Sequence, residues 1–193
     1  MRKITFDIET SNIFQDVNSN NAADLDLAVI CIHDSETGNY ASFEQHQLPE
    51  LWPIMEKADM LITFNGDHFD IPLLNKYYPG DLTTIKSLDL LKEVRKSLGK
   101  RIKLDTIAEA TFGGNKTADG LQAVRWWREG RKQDVIDYCI ADVKITKDVY
   151  DYAMKNGHLK FIDFAAQNEI KEFPVDTSDW EKKEESAMTH SLF

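Results

Sequence analysis

An alternating segment at residues 2–9, with the sequence Arg-Lys-Ile-Thr-Phe-Asp-Ile-Glu, most constrains how this chain can fold. Alternation with period two predicts a β-strand whose apolar residues face one side, while Asp7 and Glu9 face the other. Carboxylates two residues apart on a strand lie about 7 Å apart, close enough to share a divalent cation. A lone Asp-x-Glu is also typical of an ordinary amphipathic edge strand. The rest of the chain has to decide between these two interpretations.

The composition is that of a globular protein with one core. A chain of 193 residues suffices for one α/β domain, and 42% hydrophobic and 29% charged residues are ordinary proportions. No apolar run approaches the length of a membrane span, and the chain enters a strand at once without a signal peptide. We therefore expect a cytoplasmic protein that does not engage a membrane. The two cysteines, Cys31 and Cys139, have apolar neighbours and are predicted to be buried free thiols.

The net charge of −10 argues against a protein that coats nucleic acid without sequence preference, because such binding depends on Lys and Arg. It does not exclude an enzyme whose metal ions supply positive charge locally. One region departs from the acidic average: between Lys86 and Lys103 seven basic residues stand against Asp89 and Glu93.

Periodicity and turn residues predict a mixed α/β order of elements. An antiparallel three-stranded meander is expected first, at residues 2–9, 27–33 and 40–43, with residues 10–26 a loop and further strands at 60–64 and 85–88. One helix is expected from residue 48, with its regular part only after Pro53, and another from Asp70. A third is expected at residues 104–111 and ends at Gly113-Gly114. Two more are expected at residues 121–127 and 131–154. A terminal hairpin is expected at 158–164 and 169–175, and a poorly ordered tail from 176.

Two further acids occupy places where they could join the first pair. Asp70 follows a strand and a turn, and Asp142 lies on the longest helix with Tyr138 one turn before it. Taken singly, Asp70 could be a helix cap, Asp142 a solvated surface acid and Tyr138 an aromatic at the rim of the core. Their order along the chain is more informative than any one of them.

Three segments carry a family resemblance: Phe6-Asp-Ile-Glu-Thr10, Asn65-Gly-Asp-His-Phe-Asp70 and Tyr138-Cys-Ile-Ala-Asp142. The chain resembles the DEDDy branch of the DnaQ-like 3'-5' exonucleases, within the RNase H-like superfold, and its second motif resembles that of family B DNA polymerase proofreading domains. The match selects Asp70 over Asp67. Residues 104–113 and 127–130, the latter shortly before Tyr138-Cys139, are similar to stand-alone predicted exonucleases of this type, and the resemblance covers about residues 2–152.

The resemblance implies a fold and a domain organisation. We expect an RNase H-like α/β fold, with a mixed central sheet made of the antiparallel meander plus parallel strands and flanked by helices. Residues 1–157 would form the exonuclease domain, residues 158–175 a hairpin packed on the same domain, and residues 176–193 a disordered tail.

The resemblance also implies the chemistry. Phosphodiester hydrolysis needs an activated water and counter-charges at phosphorus and at the leaving oxygen, which a pair of Mg²⁺ or Mn²⁺ ions can supply. By analogy Asp7 bridges both ions, Glu9 and Asp142 complete the site that holds the attacking water, and Asp70 supports the other ion. Tyr138 would orient the water, since a phenol with an ordinary pKa near 10 is a modest base.

Substrate contacts are predicted from two sources. The family pattern implies that Thr10, Asn65 and Phe69 meet the terminal nucleotides. Positive charge beside flat apolar surface, which suits single strands, adds the following residues: Lys100, Arg101, Lys103, Arg125 and Trp126. The competing interpretation is that Trp126 and Trp127 anchor the core and that the lysines lie on an exposed helix face.

The function expected is a 3'-5' exonuclease on single-stranded or frayed DNA that releases nucleoside 5'-monophosphates, with a polymerase or helicase as a candidate partner. An RNase D-like exoribonuclease keeps the chemistry and changes the substrate, since sugar preference depends on contacts to the 2'-hydroxyl. Two further functions are compatible with the sequence: a non-catalytic nucleic-acid-binding module, and a metal-dependent endonuclease or resolvase of the same superfold.

Overall fold

A five-stranded mixed sheet forms the centre of the molecule in the computed structural model, which describes residues 1–113 and 120–182. The strands are β1 (Lys3–Thr10), β2 (Leu27–Asp34), β3 (Asn39–Glu44), β4 (Met60–Thr63) and β5 (Ser87–Asp89), in the spatial order β3-β2-β1-β4-β5. Strands β1, β2 and β3 pair antiparallel, whereas β1, β4 and β5 pair parallel. The predicted RNase H-like mixed sheet is confirmed.

Helices cover both faces of the sheet. They are α1 (Phe14–Val17), α2 (Leu48–Met55), α3 (Asp70–Asn75), α4 (Leu90–Leu98), α5 (Leu104–Phe112), α6 (Gly120–Arg128) and α7 (Lys132–Asn156). The two strands β6 (His158–Asp163) and β7 (Glu169–Pro174) form the predicted terminal hairpin as a separate antiparallel pair. No helix in residues 1–113 and 120–182 has the length and apolar character that crossing a bilayer requires.

The alternation in β1 separates two cores. Ile4, Phe6 and Ile8 pack with α2 and α3 on one face of the sheet. The opposite face of β1 and β2 lies under α7, where Cys31 and Cys139 are both buried free thiols, as predicted. The acidic side of β1 is therefore covered by a helix, so Asp7 and Glu9 do not belong to a solvated edge strand.

Three local predictions were wrong. The predicted loop at residues 10–26 contains α1 and a 3-10 turn at Ala22–Asp24, because side chains supply local caps: the Ile13 N–H donates to Asp16 at 2.8 Å. Helix α2 is regular from Leu48 and includes Pro53. Burial of four side chains along one stripe outweighs the helical hydrogen bond that Pro53 cannot donate. The strand predicted at 85–88 is shifted to β5, since residues 82–84 form a 3-10 turn.

The beginning of the predicted tail packs on the domain. Trp180 is only 4% exposed and its ring stacks on Tyr150, with ring centroids 5.8 Å apart. Glu181 accepts a hydrogen bond from the Tyr150 hydroxyl at 2.6 Å and pairs with Lys3 at 2.6 Å. Burial of one large aromatic side chain orders a segment whose composition is otherwise polar. Residues 183–193 of the predicted tail, and Gly114, lie outside the described residues.

Replacing Trp180 by Ala should therefore destabilise the whole domain. We expect a loss of about 3–5 kcal/mol in the free energy of unfolding, as for other buried aromatic side chains truncated to Ala. Urea unfolding followed by circular dichroism measures this change. The matched control is Phe164→Ala, because Phe164 is 63% exposed and its loss should change stability by less than about 0.5 kcal/mol. Equal stabilities of the two variants would contradict the packing role of residues 176–182.

Candidate active site

Three carboxyl groups from two distant segments meet beside the sheet. Asp7 and Glu9 project from β1 toward α7, and Asp142 projects back from the middle of that helix. One carboxylate oxygen from each of the three lies within 4.8 Å of the others. The helix is held against the strand here: the Cys139 thiol contacts the Asp7 carbonyl oxygen at 3.3 Å and the Asp7 Oδ2 atom at 3.9 Å. A small residue at 139 thus lets α7 approach the acidic side of β1.

Asp70 lies in the same cleft, which has a volume of about 620 Å³. Its placement depends on the turn after β4, where Asn65 has a left-handed φ of 77°. A Cβ atom at Gly66 would lie 2.3 Å from the Thr63 hydroxyl oxygen, so the turn needs glycine at this position. Asp89 fixes the turn from the neighbouring strand, because its Oδ1 atom accepts the Asn65 N–H at 2.7 Å.

Asp67, the acid that the sequence match rejected, points elsewhere. Its carboxylate accepts a hydrogen bond from the Ser87 hydroxyl and pairs with Lys92. It lies in a depression beside β5, outside the cleft that holds Asp7 and Asp70.

Burial raises the pKa values of all four acids, and repulsion within the set raises those of Asp7 and Glu9 further. For Asp7 the pKa is well above its ordinary value because of burial first, and then because of the charges on Asp70, Glu9 and Asp142. The pKa of Glu9 shifts in the same direction, for burial and for the charges on Asp142 and Asp70. Burial raises the pKa of Asp70 to about 7, although backbone N–H groups partly offset the rise. Burial raises the pKa of Asp142 to about 7 as well, against hydrogen bonding from Tyr138.

This donor set fits hard divalent cations. All four groups offer carboxylate oxygens, which are the ligands that Mg²⁺ and Mn²⁺ prefer. The buried Asp142 Oδ1 atom has no hydrogen-bond partner within the described residues, and a buried acceptor of this kind is costly unless a ligand satisfies it. Lys103 is the one basic residue among the described residues that line the cleft, and within those residues it forms no ion pair with the four acids.

Tyr138 lies at the rim of this cluster. Partial burial raises its pKa well above the ordinary value, and the negative charges of Asp142 and Glu9 raise it further. Its phenol therefore remains neutral at physiological pH and serves as a hydrogen-bond donor. The ring is supported by Trp126 in an edge-to-face contact with centroids 6.3 Å apart.

The predicted substrate-contact residues divide into two groups. Thr10, Asn65, Phe69 and Lys103 line the cleft, and Arg101 donates to the Asn65 Oδ1 atom at 2.9 Å. The other three do not line the cleft. Lys100 lies over the Phe161 ring of the hairpin at 4.7 Å, Arg125 is exposed on α6, and Trp126 is half-buried between Tyr138 and Arg131.

Sequence reasoning missed several apolar residues of the cleft wall, among them Phe14 and Leu121. Phe14 meets Phe69 edge to face, with ring centroids 6.2 Å apart. A short helix at Phe14 could have been predicted from the apolar pair Ile13-Phe14 and from Asp16, which caps the helix by accepting the Ile13 N–H. The asparagines of the surrounding segment suggested only a loop. Leu121 gave no comparable signal, because its place in the cleft depends on how α6 lies against β1.

Comparison with known proteins defines the class. The chain belongs to the RNase H superfamily, whose family model matches residues 4–154. The fold is therefore of a nuclease type, and nucleases of this superfamily use divalent metals.

Among solved structures, the chain is similar to the family B DNA polymerase from the hyperthermophilic archaeon Pyrobaculum calidifontis, with a TM-score of 0.62 and 17% sequence identity. The match covers 80% of this chain and 24% of the polymerase chain, so the chain spans about a quarter of that protein's length. At this identity the likeness establishes the fold alone. No curated protein matches the chain.

The raised pKa values predict how metal-free stability depends on pH. A carboxyl group whose pKa is raised by folding stabilises fully below its unfolded value near 4, and this contribution is lost as pH rises through about 7. In EDTA, the melting temperature should therefore fall between about pH 4.5 and pH 7.5. The variant Asp142→Asn should melt at a higher temperature at pH 7.5, because it removes one of the negative charges. A gain of about 1 kcal/mol in the free energy of unfolding corresponds to a rise of about 2–4 °C in the melting temperature.

Differential scanning fluorimetry with and without Mg²⁺ or Mn²⁺ measures both effects. The metals should raise the melting temperature of the natural chain above pH 7 and act weakly on Asp142→Asn. Asp134→Asn is a suitable control, because Asp134 is a half-exposed acid of α7 that pairs with Arg131 and does not line the cleft. A metal-free protein that becomes more stable as pH rises over this range would contradict the geometry of the cluster.

Proposed function

We propose that this protein is a metal-dependent 3'-5' exonuclease of the DEDDy type that hydrolyses single-stranded or frayed DNA. The observation that carries the proposal is the meeting of Asp7, Glu9, Asp70 and Asp142, from three distant parts of the chain, in one open cleft. Tyr138 at the rim of the same cluster distinguishes the proposed tyrosine branch.

The four carboxylates would hold two Mg²⁺ or Mn²⁺ ions, with Asp7 shared between them, Glu9 and Asp142 on one and Asp70 on the other. When bound, such ions lower the pKa of water and stabilise charge on the phosphoryl and leaving oxygens. The protein's own contribution is to hold four mutually repelling groups in fixed positions on β1, α3 and α7. The carboxylate oxygens would therefore bind the ions without a rearrangement of the protein.

Tyr138 would act by positioning. Its neutral hydroxyl can donate or accept a hydrogen bond at the water that attacks phosphorus, and Trp126 restricts the ring's orientation. The high pKa of Tyr138 argues against a phenolate base at neutral pH.

The apolar wall would hold the terminal nucleotide. Phe14 and Phe69 form an aromatic pair on one side of the cleft, with Asn65 and Thr10 as polar neighbours. Flat aromatic surface binds bases of any sequence, as an exonuclease requires. Helices α1 and α6 both line the cleft, and the ion pair between Asp16 and Arg128 joins them. This bridge favours entry of the end of a nucleic-acid strand into the cleft over passage of a continuous strand through it.

The first test is hydrolysis of 5'-labelled single-stranded DNA and RNA of equal sequence with Mg²⁺, Mn²⁺ or EDTA. We expect a ladder that shortens from the 3'-end with metal, release of nucleoside 5'-monophosphates and no reaction in EDTA. Asp7→Asn, which keeps the side-chain shape and removes the charge, should lower turnover by about 100-fold or more.

The comparison of the two polymers separates the deoxyribonuclease from the exoribonuclease. Internal cuts would instead favour an endonuclease of the same superfold. Binding without any hydrolysis would favour the non-catalytic module. Activity in Asp7→Asn equal to that of the natural chain would refute the site.

Tyr138→Phe tests the tyrosine separately. Loss of one hydrogen bond to the reacting water should lower kcat by about 10- to 100-fold, while Mn²⁺ affinity measured by calorimetry stays nearly unchanged, because the carboxylates remain. Tyr40→Phe is the control, since Tyr40 lies on β3 at the outer edge of the sheet. If Tyr138→Phe abolishes metal binding, its assigned role is wrong.

A further inference from the structure

A second depression, which we call the arginine groove, opens beside the carboxylate cleft. It has a volume of about 250 Å³ and is lined by Asn65, His68, Asp89, Leu91, Lys92, Arg95 and Arg101. Asn65 lines both the groove and the cleft, so the two depressions adjoin at the turn that follows β4.

The groove carries unneutralised positive charge. Arg95 and Arg101 are both exposed, and neither forms an ion pair within the part of the chain that the structure describes. Lys92 pairs with Asp67. The acid of the groove, Asp89, is turned to the backbone and accepts the N–H groups of Asn65 at 2.7 Å and Leu91 at 2.9 Å. Both guanidinium groups therefore keep N–H donors for an external anion.

We propose that the arginine groove binds the phosphates of a single-stranded nucleic acid on the 5' side of the nucleotide whose 3'-end occupies the cleft. This inference rests on the proposed function and adds the direction in which the strand leaves the site. Charge complementarity supports it, since guanidinium groups bind phosphate oxygens in bidentate fashion. The shared residue Asn65 supports it too, because a strand held at the cleft beside Asn65 lies next to the groove.

Arg101 links the two regions. Its guanidinium group donates to the Asn65 Oδ1 atom at 2.9 Å, and the same side chain lines the groove with further N–H donors to offer. The fixed turn at Asn65 and Gly66 keeps this contact in place. A group held in position before binding loses less conformational freedom on contact with phosphate.

The opposite wall of the cleft offers less to a polyanion. On α6, Arg128 is paired with Asp16, and the Trp126 ring is engaged by Tyr138 and Arg131. Only Arg125 of that helix remains exposed without an ion pair within the described residues. The groove on the α4 side is therefore the favoured path for the strand.

Binding is tested with a 5'-fluorescein-labelled 12-nucleotide single strand, as DNA and as RNA, by anisotropy at several salt concentrations with Mg²⁺ present. Every protein carries Asp7→Asn to prevent turnover. Adding Arg95→Ala and Arg101→Ala should raise Kd by about tenfold or more. It should also flatten the slope of log K against log salt by about 1.4, which corresponds to two phosphate contacts on a single strand.

The matched control removes two positive charges elsewhere, through Lys57→Ala and Lys155→Ala. Lys57 lies before the start of β4, whereas the turn that borders the cleft follows the end of that strand. Lys155 lies thirteen residues beyond Asp142 on α7, about 20 Å along the helix. The control should leave the salt slope unchanged. Arg95→Ala alone breaks no contact to Asn65 and should give about half of the change in the slope of log K against log salt. This result would exclude an indirect effect through loss of the contact between Arg101 and Asn65.

The active enzyme provides a second measurement. With the natural Asp7, Arg95→Ala should raise KM for the 12-nucleotide strand and leave KM for a dinucleotide unchanged, because the shorter substrate does not reach the groove. The proposed role of the groove is wrong if Arg95→Ala and Arg101→Ala weaken strand binding no more than the control does, or if Arg125→Ala weakens it instead. Either result leaves the proposed exonuclease activity intact. Groove-dependent binding with no hydrolysis by the natural chain supports the groove and refutes the proposed activity.

Discussion

The gathering of four carboxyl groups in one cleft is the constraint on which the rest of the structure depends. Asp7, Glu9, Asp70 and Asp142 share one cleft, and the pKa of each is raised by burial and, for the β1 pair, by the neighbouring charges. A fold that holds such groups together in their ionised form stores unfavourable energy until a cation neutralises them. The extensive cores on both faces of the sheet supply the stability that this arrangement requires.

The elements that hold the acids use small side chains and backbone groups in place of counter-ions. Cys139 gives α7 close access to β1, where its thiol contacts the Asp7 carbonyl oxygen. Gly66 permits the tight turn before α3, and Asp89 binds the backbone of that turn. No ammonium or guanidinium group within the described residues forms an ion pair with the four acids, so their charge stays available to a metal. A basic residue in their place would stabilise the metal-free protein and weaken the site.

How much of the fold and the site could be predicted from the sequence depends on how far apart in the chain the interacting residues lie. The alternation in residues 2–9 is local, and it predicted the strand, its buried face and the position of Asp7 and Glu9. The mixed character of the sheet, an antiparallel meander joined to parallel strands, followed from the family resemblance together with the turn signals. Phe14 and Trp180 could not be assigned, because each is ordered by a partner distant in the sequence, Phe69 and Tyr150 respectively. Helix α2 was predicted wrongly because the proline rule is local, whereas the burial that overrides it is tertiary.

The same distinction applies to the charges. Counting residues between Lys86 and Lys103 identified a basic region but could not tell which members face the cleft. In the structure, Lys100 lies over Phe161 and Lys86 donates to backbone carbonyls of residues 179 and 182, so both serve the fold. Arg95 and Arg101 remain without an ion pair within the described residues. In a chain of net charge −10, most of the surface repels a polyanion, so a few available guanidinium groups beside the cleft can determine where a strand lies. An acidic protein can thereby restrict a nucleic acid to one path without binding it elsewhere.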